Sequence, residues 1–163
     1  MKNANVLNVD CCFLVAPNST KSYQVLSKDY SAIEPPTWAL LLAQSLRSVN
    51  FKVSIIDANA EQLSENQILK RINKISPRIL CLVVYGQNVN AGTTNMSGAT
   101  HISNYLKKNK IQIPICFIGS HAQALPKETL KKENSIDFLF TNEGVYALRN
   151  ILKLNEFNEN NLK

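Results

Sequence analysis

The chain has 163 residues and a formal charge of +6, with 45 % hydrophobic and 18 % charged residues. That is one domain's worth of chain, able to bury a sound core. The lysines are scattered or sit near helix ends, as in Lys107-Lys108 and Lys131-Lys132, so the charge reads as a solvated surface and not as a nucleic-acid footprint.

Val6 to Ala16 is an apolar run of strand-favouring residues, closed by Pro17-Asn18-Ser19-Thr20. A long connection without periodicity follows, to Glu34; loops of that length are usually functional or disordered. Pro35-Pro36 reads as a helix start. Trp38, Leu41, Leu42, Ser45, Leu46 and Val49 then fall on one helical face. Phe51 to Ile56 is a short strand ending at Asp57. Leu63 to Ile75 is helical, with Ile68, Ile72 and Ile75 on one side and a Ser64/Gln67 capping box at its start.

Ser76-Pro77 breaks that helix. Arg78 to Tyr85 is a strand buried on both faces. Tyr85 to Gly98 reads as an uncharged loop of amides, glycines and hydroxyls. A helix is expected from Met96 to Asn109, with Ala99, Ile102 and Leu106 inward. Ile113 to Ile118 is a strand closed by Gly119-Ser120-His121. Pro126 to Lys132 is a short helical turn, Ile136 to Phe140 a fifth strand, and Glu143 to Leu154 a last helix. The polar tail 155–163 reads as frayed or as a linker.

Strands alternating with helices predict an α/β fold: a Rossmann-like, flavodoxin-like, five-stranded parallel sheet of order 2-1-3-4-5 with helices on both faces. Its switch point lies between the first and third strands, where the loops after Ala16 and Tyr85 would flank a ligand crevice.

Chemistry at those loops is sparse. There is no G-x-G-x-x-G and no phosphate loop. Asp57 ends the second strand, where it reads more readily as a loop cap than as a ribose ligand. Ser120 and His121 are adjacent, but adjacency does not make a dyad. His101 reads as a surface or partly buried helix residue. Cys11, Cys12, Cys81 and Cys116 lie in apolar runs without metal-ligand spacing and read as small buried hydrophobes, consistent with a reducing cytoplasm. Asp10 interrupts any signal-peptide core, and no apolar run is long enough for a membrane span. Each glycine alone is turn chemistry, but the five stand at or just beyond strand ends, on the ligand edge. A binding module is therefore expected, with no catalytic residue and no metal site made by this chain alone.

Five segments resemble a known family. Pro35-Pro36-Thr37-Trp38-Ala39-Leu40-Leu41-Leu42-Ala43 and Val53-Ser54-Ile55-Ile56-Asp57-Ala58 resemble the opening of the cobalamin-binding domain of B12-dependent radical SAM enzymes. Tyr85-Gly86-Gln87 through Thr93-Thr94-Asn95-Met96-Ser97-Gly98-Ala99 resembles its third loop and following helix. Ile118-Gly119-Ser120-His121-Ala122-Gln123-Ala124-Leu125-Pro126 resembles its fourth turn, and Asp137 to Gly144 its final strand and Gly-Glu-Gly turn, with Asn142 in place of the first glycine. The likeness runs from about Val6 to Leu154.

The resemblance implies a cobalamin-binding domain over residues 1–154, holding the cofactor at the carboxyl edge of the sheet. It implies cofactor contacts from Pro35, Pro36 and Thr37, from Gly86, Gln87, Thr93, Thr94, Asn95 and Met96, from Gly119, Ser120 and His121, and from Glu143 and Gly144. It also implies a parent enzyme of methyl transfer or related radical chemistry. There a radical SAM domain, in cis or in trans, carries the [4Fe-4S] cluster and S-adenosylmethionine that this chain does not bind. No C-x-x-x-C-x-x-C occurs here, and the chain is expected to be either a fragment ending at a linker or a stand-alone binder. Classical B12 enzymes place a histidine on cobalt with D-x-H-x-x-G after the first strand; Asp10-Cys11-Cys12-Phe13 and the connection from Pro17 to Glu34 hold no histidine. Two other functions compete: a Rossmann-like protein-interaction domain that has lost its cofactor, and a small-molecule enzyme using His121 as a base.

Overall fold

A computed structural model describes residues 6–17, 33–85 and 89–157. Five strands and six helices follow in the order β1 (Val9–Val15), α1 (Thr37–Arg47), β2 (Val53–Asp57), α2 (Glu65–Ile75), β3 (Pro77–Val83), α3 (Val89–Lys108), β4 (Ile115–Ile118), α4 (Ser120–Ala124), α5 (Pro126–Lys132), β5 (Phe138–Phe140) and α6 (Val145–Ile151). The strands form one sheet of order β2-β1-β3-β4-β5, and every pairing is parallel. The expected architecture and strand order are both present.

Two apolar layers sandwich the sheet. On one side Cys12, Leu14, Leu80, Leu82 and Phe117 pack with Ile68 and Ile72 of α2 and Ala99, Ile102 and Leu106 of α3. On the other, Cys11, Phe13, Ile79, Cys81 and Cys116 pack with Ala39, Leu42, Ala43 and Leu46 of α1 and Leu148 and Ile151 of α6. Alternate residues of β1 and β3 thus feed opposite layers, which is why these strands read as unbroken apolar runs. All four cysteines are buried.

Local signals set several boundaries. Ser64 Oγ accepts from the Gln67 amide at 3.4 Å while Gln67 Oε1 accepts from the Ser64 amide at 2.8 Å, closing the expected capping box. Asp57 Oδ1 accepts from the Ala60 amide at 2.9 Å, so Asp57 does cap its loop. Arg78 spans the opposite edge of the sheet. Its guanidinium donates to the carbonyls of Leu152 (3.1 Å) and Leu154 (2.6 Å), pairs with Asp10, and lies 5.4 Å from the Phe157 ring.

The structure corrects several expectations. β1 begins at Val9, and Val6 and Leu7 are exposed. Helix α1 begins at Thr37 with Pro36 as N-cap and turns Ala39, Leu42, Ala43 and Leu46 inward, leaving Leu41 58 % and Val49 40 % exposed. In the inward stripe the two alanines let the helix approach the sheet and the two leucines fill the space beside them. Strands β2, β4 and β5 are shorter than expected, and the last helix spans only Val145–Ile151.

The largest correction concerns the stretch from Tyr85 to Gly98. From Val89 onward it is helix, the first turns of the 20-residue α3. Glycine, threonine and asparagine are weak helix formers, so local propensity argues for a loop. Tertiary packing overrides it at Gly92, described below. Residues 18–32, most of the long connection after β1, lie outside the described residues, as do Gly86, Gln87 and the end of the tail.

Candidate cofactor site

Parallel pairing brings the carboxyl ends of all five strands to one edge. Between β1 and β3 the connections leave in opposite directions, which opens a crevice in such sheets. Trp38 reaches this edge from the first turn of α1, Tyr85 from the end of β3, Gly119 to His121 from the end of β4, and Glu143 and Gly144 from the turn after β5.

Bare backbone brings the β3 and β4 ends together. The Val84 amide donates to the Ile118 carbonyl at 2.7 Å. A Cβ on Gly119 would lie 2.5 Å from the carbonyl carbon and oxygen of Val84. One on Gly92 would lie 2.1 Å from Ser120 Oγ and 3.3 Å from the Val84 oxygen. Glycine at 92 therefore lets α3 settle onto the β4 turn, and that contact is the physical reason a weak helix-forming sequence is helical there. Asn95 strengthens the junction, its Nδ2 donating to the Tyr85 carbonyl at 2.9 Å.

Tyr85 stacks on Trp38, with ring centroids 4.3 Å apart and planes 22° from parallel. The Tyr85 hydroxyl is shut off from solvent and has no hydrogen-bond partner among the described residues. Burial and then the Glu143 carboxylate push the phenol's pKa up. The turn after β5 is ordered by Asn142, whose Oδ1 accepts from the Gly144 amide at 2.8 Å. Gly144 takes the left-handed conformation at φ +72°, and Asn142 does not. Asparagine thus replaces the expected glycine through a side-chain turn contact rather than through left-handed backbone.

The other expected site residues fall as follows. Pro35 and Thr37 are exposed and Pro36 half-buried before α1, and Glu143 is exposed. Met96 is buried in the layer with α2 and α3. Thr93 and Thr94 belong to α3, but their side chains lie outside the described residues. Ser120 and His121 are half-buried at the start of α4; Ser120 faces Gly92, and neither side chain bonds the other. His101 is half-exposed and pairs with Glu65 at the start of α2. Among the described residues no three of His, Cys, Asp and Glu gather in a way that would hold a metal ion. No described helix is long and apolar enough to cross a membrane.

Neither Trp38 nor Tyr85 is among the contacts expected from the sequence. The first was read as part of an apolar stripe and the second as a strand end. A tyrosine ending an otherwise aliphatic strand was the available signal.

The B12 binding domain family matches the chain over residues 23–152, from before α1 to the end of α6. The chain belongs to that family. No curated protein and no solved structure matches it. Membership supports cobalamin as the ligand, and the carboxyl edge fits such a group. Cobalamin is large, rich in amides and hydrogen-bond acceptors. At that edge the B12-binding domain presents the Asn95 amide, the Ser120 hydroxyl, the His121 imidazole, the Glu143 carboxylate and an enclosed Tyr85 phenol with no partner among the described residues.

Proposed function

We propose that this chain is the cobalamin-binding domain of a B12-dependent radical SAM enzyme catalysing methyl transfer or related radical chemistry, and that it holds the cofactor without a histidine on cobalt. Bound cobalamin would supply the cobalt chemistry. The chain's own residues would bind and orient it: Asn95, Ser120 and His121 beside the β3 and β4 ends, Pro35 to Thr37 before α1, and Glu143 with Gly144 after β5. Gly86, Gln87, Thr93, Thr94 and Met96 complete the proposed set from the stretch after β3. The iron–sulfur cluster and S-adenosylmethionine would belong to a radical SAM domain supplied in cis or in trans.

The observation that carries the histidine-free reading is the sequence after β1, where the D-x-H-x-x-G histidine would stand. The segment after β1 contains none. His101 is engaged with Glu65 of α2, and His121 follows β4. Reduced cob(II)alamin bound to the chain tests it by electron paramagnetic resonance. The expected spectrum lacks nitrogen splitting from an axial imidazole. A nitrogen-split signal that disappears in His121→Ala would refute the histidine-free reading. Reading the gene beyond Lys163, or its neighbours, for C-x-x-x-C-x-x-C tests the enzyme context, which fails if no such partner exists.

A further inference from the structure

The phenol of Tyr85 is left over from the packing that builds the fold. Its oxygen is enclosed and meets no donor or acceptor among the described residues. A buried hydroxyl without a partner destabilises the folded state, and native proteins keep few of them. Phenylalanine would fill the same space against Trp38 without that penalty.

The surroundings hold this phenol in place. Asn95 holds the Tyr85 carbonyl at 2.9 Å, which fixes the backbone where the ring leaves the strand. Trp38 fixes the plane of the ring by stacking on it. Burial and Glu143 both favour the protonated phenol, so the group is a donor at neutral pH. The other enclosed hydroxyl, Thr129 on α5, is different. A helical threonine can turn its hydroxyl to a carbonyl of the preceding turn; a tyrosine has no such local partner. Tyr85 stands two residues beyond β3, beside the gap where the strand order reverses.

We propose that Tyr85 is a ligand-binding residue whose hydroxyl donates to a neutral acceptor on bound cobalamin. This rests on the cobalamin reading above. Because the oxygen is enclosed in the ligand-free protein, binding has to move the groups that cover it to admit the acceptor. Cobalamin offers acceptors from two sources, the amide carbonyls around the corrin and the nucleotide below it.

The test is Tyr85→Phe in the full chain, melted without ligand and titrated with hydroxocobalamin and with dicyanocobinamide, which lacks the nucleotide. Without ligand, Tyr85→Phe is expected to melt at the same temperature as the parent or slightly higher. Its affinity for hydroxocobalamin is expected to fall roughly five- to tenfold, the effect of one lost hydrogen bond. An equal loss with cobinamide assigns the acceptor to a corrin amide; a loss with cobalamin alone assigns it to the nucleotide. Unchanged affinity for both in Tyr85→Phe, with the parent binding normally, overturns the role of Tyr85 and leaves the cobalamin reading standing. A ligand-free Tyr85→Phe that melts several degrees lower overturns it too, since the hydroxyl then has a structural partner. A parent chain that binds neither ligand overturns both.

Discussion

Gly119→Ala is expected to be the most damaging alanine substitution among the glycines of the carboxyl edge. The added methyl would lie 2.5 Å from the Val84 carbonyl carbon and oxygen and 3.0 Å from its Cα. Those atoms are backbone, fully buried, and held by the bond from the Val84 amide to Ile118 at 2.7 Å. Relief requires the ends of β3 and β4 to part. Overpacking costs about 1–3 kcal/mol when side chains can adjust; with backbone as the obstacle the upper end, about 3 kcal/mol, applies. Gly144→Ala meets only the terminal methyl of Ile118, at 2.1 Å, which can rotate away. Its cost is the left-handed backbone at φ +72°, about 1–2 kcal/mol. Gly92→Ala meets the movable Ser120 hydroxyl but also the Val84 carbonyl oxygen at 3.3 Å, so α3 has to back away from the β4 turn. A gain of about 0.5–1 kcal/mol in helix propensity offsets part of that strain, and the variant should be destabilised, but less than Gly119→Ala. Urea unfolding followed by circular dichroism measures all three. For a chain of this size Gly119→Ala should lower Tm by about 6–12 °C. A Gly119→Ala variant within about 1 kcal/mol of the parent, or more stable than Gly144→Ala, would refute the reasoning.

Three further outcomes follow from other parts of the molecule. Ser64→Ala removes the acceptor that closes the capping box of α2 and should cost about 1 kcal/mol in the same unfolding assay; no change would mean the box is decorative. Arg78→Met strips the donors from the Leu152 and Leu154 carbonyls and should lower stability by about 1.5–3 kcal/mol. Amide exchange should then accelerate around Leu152 to Leu154 first, and a uniform acceleration across the sheet would contradict the local role. Burial, and next the neighbouring Cys81, push the Cys12 thiol from 9.0 up to about 12. The unfolded chain loses that proton above about pH 9 and the folded chain keeps it. The thiol's contribution is therefore complete below pH 9 and lost as pH rises toward 12, by up to about 1.4 kcal/mol per pH unit. Cys12→Ala should flatten the alkaline fall in stability, and an identical pH profile would count against a buried, protonated Cys12.

Much of this fold is written in local pattern. The unbroken apolar runs of β1 and β3 announce strands covered on both faces, and Ser64 with Gln67 marks the start of α2 almost to the residue. Where reading failed, the deciding contact was distant in sequence. The helix from Val89 depends on Gly92 meeting Ser120 and Val84, which local propensity cannot see. On α1 the inward face joins Ala39 and Ala43, which let the helix approach β1 and β2, to Leu42 and Leu46, while Leu41 faces outward and Val49 lies beyond the helix. At the candidate site the family resemblance named residues of the carboxyl edge. It did not single out Tyr85, because a hydroxyl enclosed without a partner among the described residues is a feature of the folded chain and not of its sequence.

Every role proposed for this chain depends on its taking up cobalamin. Equilibrium dialysis of the purified chain against hydroxocobalamin, with the visible spectrum recorded on both sides, measures this directly. Saturable uptake approaching one cobalamin per chain, with a shifted spectrum on the protein side, is the predicted result. Equal cobalamin on both sides at every concentration, with the chain folded throughout, would contradict it.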